Sequence, residues 1–299
     1  MIQDYGKTIE QIRANSKWYF SNNNIKAIVI GMSGGIDSAL CAALLQPVCA
    51  ELKIPLIGRS LPITTNKADE LERARLCGEA FCTDFKEVDL GPCFEDMERH
   101  LASTEGILPI ADAHAQAIAR GNRKARLRMI RLYDLAGVNK GLVISTDNYT
   151  ELLLGFWTLH GDVGDYAPIQ MCWKTEVYKM SEYLVSAWEK ERTTSGDVSK
   201  AYGRTPPLAA KICALKPCIE AVPTDGLGIT NSDLDQIMPN WSDKYKDTRE
   251  AYEAVDQILI AHTPEDHPVM KRHAASEFKR KNPVTLPRIN FTDDALTVS

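Results

Sequence analysis

Lys26-Ala-Ile-Val-Ile-Gly31-Met-Ser-Gly-Gly-Ile-Asp-Ser38 carries a short apolar run into a glycine–serine turn and then into a helical pattern. Lys26 to Gly31 reads as a buried strand and Ile36 to Leu52 as a helix. A strand ending at Gly31 and a helix starting near Ile36 gather backbone N–H groups and a helix N-terminus around one small concavity, which is an anion site. Gly34 and Gly35 let the backbone approach phosphate oxygens, and the hydroxyls of Ser33 and Ser38 add donors. The turn contains no lysine and no Gly-x-Gly-x-x-Gly, so it is neither the loop of P-loop triphosphatases nor a dinucleotide fingerprint. The alternative is a structural turn in which Ser33 and Gly35 only cap the helix. Asp37 weighs against it, because an acid beside a bound polyanion is unfavourable unless a cation lies between them, and magnesium supplies one.

Outward from this loop, strand-like and helix-like stretches alternate. Ile54–Gly58 is predicted as a second strand, about Lys67–Phe81 as a helix, and Phe85–Leu90 as a third strand. A long helix is expected over about Asp112–Ala136, with Ala125, Met129, Leu132, Tyr133 and Ala136 on one face. Gly141–Ser145 reads as a fourth strand, and Glu176–Glu191 as a helix with Val177, Met180, Leu184, Val185 and Trp188 on its apolar stripe. Such alternation predicts an α/β fold, a doubly wound parallel sheet of about five strands flanked by helices. An amphipathic N-terminal helix (within 1–22), a loop-rich segment (193–228, with a short helix over 209–215) and a helical C-terminal part (229–299) complete a single domain over 1–299. In that last part helical patterns run over Ser232–Ile237, Ser242–Ala261 and Pro268–Lys279.

The bulk numbers narrow the class. With 44% hydrophobic and 25% charged residues, the 299-residue chain has an ordinary globular composition. No run approaches the roughly eighteen apolar residues of a membrane span, and no signal peptide is evident, so a cytoplasmic protein is expected. The formal charge of −5 argues against a nucleic-acid binder. Eight cysteines without a Cys-x-x-Cys pair read as reduced, mostly buried thiols.

Two further segments carry chemistry. Ser145-Thr-Asp-Asn-Tyr-Thr-Glu151 follows the fourth strand, which neighbours the first at the switch point of a doubly wound sheet, where ligands bind beyond the carboxyl ends. Asp37 and Glu151 then face each other and can share a magnesium ion; Glu151 also reads as a helix-start acid favoured by the helix dipole. Gly121-Asn-Arg-Lys-Ala-Arg-Leu-Arg-Met129 opens a stretch with five basic residues between positions 123 and 131. Such a run is a solvated helix face or, beside a phosphate site, a second anion contact.

The turn Ser33–Ser38 after a buried strand resembles the signature of the N-type ATP pyrophosphatases. With Gly-Asn-x-x-Ala-Arg-x-Arg-Met, Thr146–Glu151 followed by Gly155-Phe-Trp-Thr158, Lys174 after a Gly/Asp-rich loop, and Pro223-Thr-Asp-Gly-Leu227, the chain resembles the ammonia-dependent NAD synthetases between residues 25 and 285. The resemblance implies an adenine nucleotide alpha hydrolase-like fold and the ATP-dependent amidation of deamido-NAD by ammonia, giving NAD, AMP and pyrophosphate. It further implies that Gly31, Ser33, Gly34, Gly35, Ile36, Asp37 and Ser38 hold the ATP phosphates. Thr146, Lys174 and Thr224 would also contact ATP, and Arg59 its adenosine. Asp37 and Glu151 would bind Mg2+, and Asp37, Glu151 and Lys174 would carry catalysis. Arg126, Asp165 and a C-terminal basic pair, Lys279 and Arg280, would contact deamido-NAD. On their own, Lys174 reads as a helix-start surface lysine and Thr224 as a turn residue.

The resemblance also implies a homodimer and no nucleic-acid or membrane partner. Glutamine-dependent relatives carry an amidase domain, whereas 25 residues precede Lys26, so free ammonia or a separate donor is expected. The family lysine that contacts deamido-NAD is replaced by Leu159, and alignment of Asp165 requires a gap. The C-terminal family motif His-Lys-Arg corresponds to Phe278-Lys-Arg280 or to Met270-Lys-Arg272, neither with the histidine. These departures keep nicotinate mononucleotide or another carboxylate open as the acceptor. A tRNA-thiolating or guanylate-forming enzyme, and a non-catalytic nucleotide sensor, are the remaining alternatives.

Overall fold

The structure, a computed structural model, describes residues 1–64, 66–104, 113–195, 213–221 and 231–281. Helix α1 (Tyr5–Asn22) is followed by β1 (Ile28–Gly31), α2 (Ile36–Leu52), β2 (Leu56–Ser60), α3 (Ala68–Phe81), β3 (Asp84–Glu87), α4 (Gly91–Thr104), α5 (Ala113–Asn139), β4 (Leu142–Val143), α6 (Tyr149–Leu154) and α7 (Lys174–Ser195). After a 3-10 turn (Cys213–Leu215) come α8 (Lys216–Glu220), α9 (Asn231–Ile237), α10 (Trp241–Lys244), α11 (Thr248–Ala261), α12 (Pro268–Ala275) and α13 (Glu277–Arg280). The motif around Thr224 and the side chain of Trp188 lie outside the described residues, as does most of the 193–228 segment, including 209–212 of its expected short helix.

Among the described residues the sheet has four parallel strands in the order β3-β2-β1-β4. β1 is central, with Val29 opposite Ile57 on one side and Val143 on the other. Beyond β4 the chain returns as a single parallel bridge between Ile144 and Tyr166. The chain runs from β1 to β2 and β3 on one side and to β4 on the other, so the switch point lies between β1 and β4.

Alternation of side chains along β1 sorts the core into two layers. Ile28 and Ile30 point into the larger one, with α1, α2, α3, α7 and the C-terminal helices. Ala27 and Val29 point into the smaller, where Met129, Leu132 and Ala136 of α5 cover the opposite face. Tyr133, expected on that stripe, is instead 41% exposed, because it lies one residue past Leu132 on the helix wheel and turns outward to the Asp165 carboxylate. Helix α2 is buried almost all round, since it is wedged between the sheet and α1, α3 and α7. α4 has no counterpart in the sequence reading: Phe94 is its one fully buried apolar side chain, too little for a periodic signal. The expected 242–261 helix breaks into α10 and α11, where Asp247 caps a new start by accepting from Arg249 N and Glu250 N. Cys41, Cys49, Cys77, Cys82, Cys93, Cys172 and Cys218 are free thiols, and five of these seven are buried. Among the described residues no helix is long and apolar enough to cross a membrane.

Candidate active site

The loop after β1 and the loop after β4 meet over the switch point. Gly34 adopts φ +84°, and a Cβ there would lie 2.2 Å from the Glu70 carbonyl oxygen, so only glycine fits. Its carbonyl accepts from Arg73 Nε at 3.0 Å, which ties the loop to α3. The Ser33 and Ser38 hydroxyls lie 3.1 Å apart, and Gly35 N donates to Ser33 Oγ at 3.2 Å. Gly35 is the N-cap of α2 without any side-chain cap, which leaves first-turn N–H groups facing the loop. Ile36 contributes backbone only, because its side chain is packed in the core.

Asp37, in the first turn of α2, reaches across to the β4 side. Its Oδ2 accepts from Lys174 Nζ at 2.5 Å and its Oδ1 from Asn148 Nδ2 at 2.9 Å. Lys174 Nζ lies 3.5 Å from Glu151 Oε1 as well. The three groups anticipated from sequence therefore converge, and Lys174 proves not to be a surface lysine, being 3% exposed. Burial alone would depress its pKa, but Asp37 and Glu151 outweigh that and hold it well above the usual lysine value, as an ammonium. Both readings of Glu151 hold at once. Its Oε2 accepts from Asn148 N at 3.2 Å in a capping box, while its Oε1 is buried without a hydrogen-bond partner. Burial first, and then the nearby Asp37 charge, raise the Glu151 pKa.

A cavity of about 980 Å³, counting its open mouth, starts at this cluster and extends over the sheet. Ser33, Gly35, Asp37, Thr146 and Glu151 line its polar end. Arg59, Leu61, Pro62, Met129 and Leu132 line the other end. Arg59 is fixed at the end of β2 by Asp84, through Nη2 at 2.7 Å. A polar end with N–H donors and a largely apolar end with two arginines, Arg59 and Arg128, suit the chemistry of a nucleoside triphosphate.

The structure also brings in residues that the sequence reading passed over. Asn148 fixes Asp37; Asp147 is buried with its carboxyl pushed up to about 7 by desolvation, against the hydrogen bond from Ser145. The basic run on α5 divides. Arg123 pairs with Glu98, Arg131 pairs with Asp134, and Arg126 donates to the Leu159 carbonyl at 3.1 Å from an exposed position. Only Arg128 lines the cavity, donating to the Leu61 carbonyl at 2.9 Å. The signal for it was its place on the same helical face as Ala125, Met129 and Leu132.

The residues expected at the acceptor end are occupied elsewhere in the fold. Asp165 accepts from Val143 N at 2.9 Å and Tyr133 Oη at 2.8 Å, and does not line this cavity. Arg280 donates to the Leu153 carbonyl at 2.6 Å, and Lys279 to the Gly155 carbonyl at 2.6 Å. Arg272 also takes part, donating to the Leu154 carbonyl at 2.9 Å, so both candidate basic clusters tie down the end of α6. Gly161 and Asp162 also line the cavity.

The family model described as NAD synthase matches residues 8–283. An NH(3)-dependent NAD(+) synthetase of Thermoplasma acidophilum is 28% identical over 96% of this chain and 100% of its own length. One from Alkaliphilus oremlandii is 32% identical over 62% of this chain and 72% of its own. Among solved structures, NAD+ synthetase from Burkholderia pseudomallei superposes with a TM-score of 0.61 at 25% identity, covering 94% of this chain and 92% of that one. NMN synthetase from Francisella tularensis does so with a TM-score of 0.66 at 21% identity, covering 97% and 100%, and shares the fold.

Proposed function

The chain belongs to the NAD synthase family, and on that premise we propose that it amidates deamido-NAD with ammonia, consuming ATP and releasing AMP and pyrophosphate. The observation that carries this reading is the meeting of Asp37, Glu151 and Lys174 at the polar end of the cavity, beside the glycine loop and the N-terminus of α2, which no side chain caps. The nicotinate carboxylate attacks the α-phosphorus of ATP, and the bond to the β-phosphate oxygen breaks. Pyrophosphate leaves toward the loop, where the backbone N–H groups and the Ser33 and Ser38 hydroxyls take up its charge together with the Lys174 ammonium. Ammonia then adds to the acyl carbon of the adenylate, AMP departs, and one proton is lost. No protein nucleophile is required; the site holds two anions in line and excludes water.

Magnesium fits the residues present. Asp37 and Glu151 are hard oxygen donors, and Glu151 Oε1 is a buried carboxylate oxygen with no hydrogen bond of its own. Bound there with phosphate oxygens, the ion would neutralise charge on the departing pyrophosphate. The reaction belongs in the cytoplasm, in keeping with the free thiols. A homodimer is proposed from the resemblance to the NAD synthetases alone. Sedimentation equilibrium should then return twice the 33.3 kDa chain mass, and a monomer at micromolar concentration would contradict it.

A second acceptor, nicotinate mononucleotide, is favoured by one observation. Leu159 supplies no charge where the resemblance expects a lysine, and its carbonyl is held by Arg126. The experiment is product analysis with magnesium, ATP and ammonium and either acceptor. NAD, AMP and pyrophosphate from deamido-NAD, with a smaller kcat/KM for nicotinate mononucleotide, is the expected result. The reverse preference, or its conversion by Leu159→Lys, selects the second reading.

A further inference from the structure

Asp256 sits on the buried face of α11 among Tyr252, Val255 and Leu259, and is 1% exposed. An isolated carboxylate on an apolar face is costly unless its oxygens are fully engaged. Here they are divided between two threonines from different elements. Oδ1 accepts from the Thr150 hydroxyl at 2.6 Å, and Oδ2 from the Thr175 hydroxyl at 2.8 Å and from Thr175 N at 3.3 Å. The Thr150 hydroxyl in turn accepts from Lys174 N at 2.9 Å. Thr150 precedes Glu151 in the first turn of α6, and Thr175 follows Lys174 in the first turn of α7. A single carboxylate from the C-terminal helical part therefore joins the starts of the two helices that carry the groups facing Asp37.

We propose that Asp256 is a positioning residue for adenylation: with Thr150 and Thr175 it clamps the first turns of α6 and α7, and so sets Glu151 and Lys174 in register with Asp37. The glycine loop is independent of this clamp, since it is built by β1, α2 and α3. Loosening the clamp should thus leave ATP bound but its pyrophosphate poorly neutralised as it departs. The inference rests on the roles assigned above to Glu151 and Lys174.

The test compares kcat and KM for ATP in Thr175→Val, Thr175→Ser, Asp256→Asn and, as reference, Lys174→Met, each with its thermal transition. Thr175→Val keeps the shape and removes the hydroxyl; it should lower kcat about tenfold or more with KM for ATP changed less than about threefold, and Thr175→Ser should restore most of the rate. Asp256→Asn should show the same split, and if it does not fold, the two Thr175 variants decide alone. A folded Thr175→Val enzyme with wild-type kcat, a loss confined to KM, or a loss that serine does not restore would overturn the inference. Lys174→Met should be nearly inactive. Full turnover there would overturn the reading of the site itself, whereas an inactive Lys174→Met beside a fully active Thr175→Val would overturn the clamp alone.

Discussion

At the scale of single residues, the site depends on charges that neutralise one another before any ligand arrives. Asp37 spends one oxygen on Lys174 and the other on Asn148, and Lys174 is shared with Glu151. Removing the Asp37 charge leaves the overall packing alone, because its side chain lies at the cavity wall. It removes one of two carboxylates for magnesium and unbalances the ammonium. Asp37→Asn should therefore lower kcat by about a hundredfold or more and, since the buried Lys174 ammonium keeps only Glu151 as a counter-charge, lower the denaturant midpoint, while the circular dichroism spectrum stays near wild type. Unchanged turnover would show that Asp37 is only a helix-start acid. Glu151 illustrates why such residues are hard to classify from sequence: one oxygen is a helix cap and the other faces the lysine.

At the scale of elements, α6 is held at both ends, and α7 at its start, by parts of the chain distant in sequence. The end of α6 is tied by Arg272, His273, Ser276 and Arg280, which all bond to the Leu153 or Leu154 carbonyl. The starts of α6 and α7 are tied by Asp256. Burial pushes the Asp256 carboxyl up to about 6 from 3.8, more than the threonine hydrogen bonds pull it down. The fold thus prefers the protonated form, so this group's favourable contribution is complete below about pH 4 and is lost as pH rises through about 6. Asparagine does not titrate. The stability of Asp256→Asn relative to wild type should rise between pH 4 and pH 7 by up to about 3 kcal/mol and then level off. Urea titrations at several pH values check this, and a difference that is flat with pH would refute the buried-acid account.

At the scale of the whole molecule, the sequence made the β1 loop, α2 and the layered α/β order readable, because buried parallel strands and an all-round apolar helix leave long apolar runs. Asp37 and Glu151 were accessible through their places at a strand end and a helix start, whereas Lys174 came only from the family resemblance, because its burial depends on Asp37 and Glu151, far away in the sequence. Arg128, Asn148 and Asp256 were not singled out, since each acts through contacts with residues far along the chain; the one local sign was a polar residue on an apolar helical face. Asp165 and Arg280, named from the resemblance, make hydrogen bonds within the fold, to Val143 N and Tyr133 and to the Leu153 carbonyl and Ser276, that no local pattern announces. The fold unites all of this around a single chemical event, transfer of a carboxylate oxygen to the α-phosphorus. Turnover of deamido-NAD labelled with 18O in its carboxylate follows that oxygen directly. One 18O atom should appear in AMP and none in pyrophosphate; label in inorganic phosphate, or unlabelled AMP, would contradict adenylation at this site.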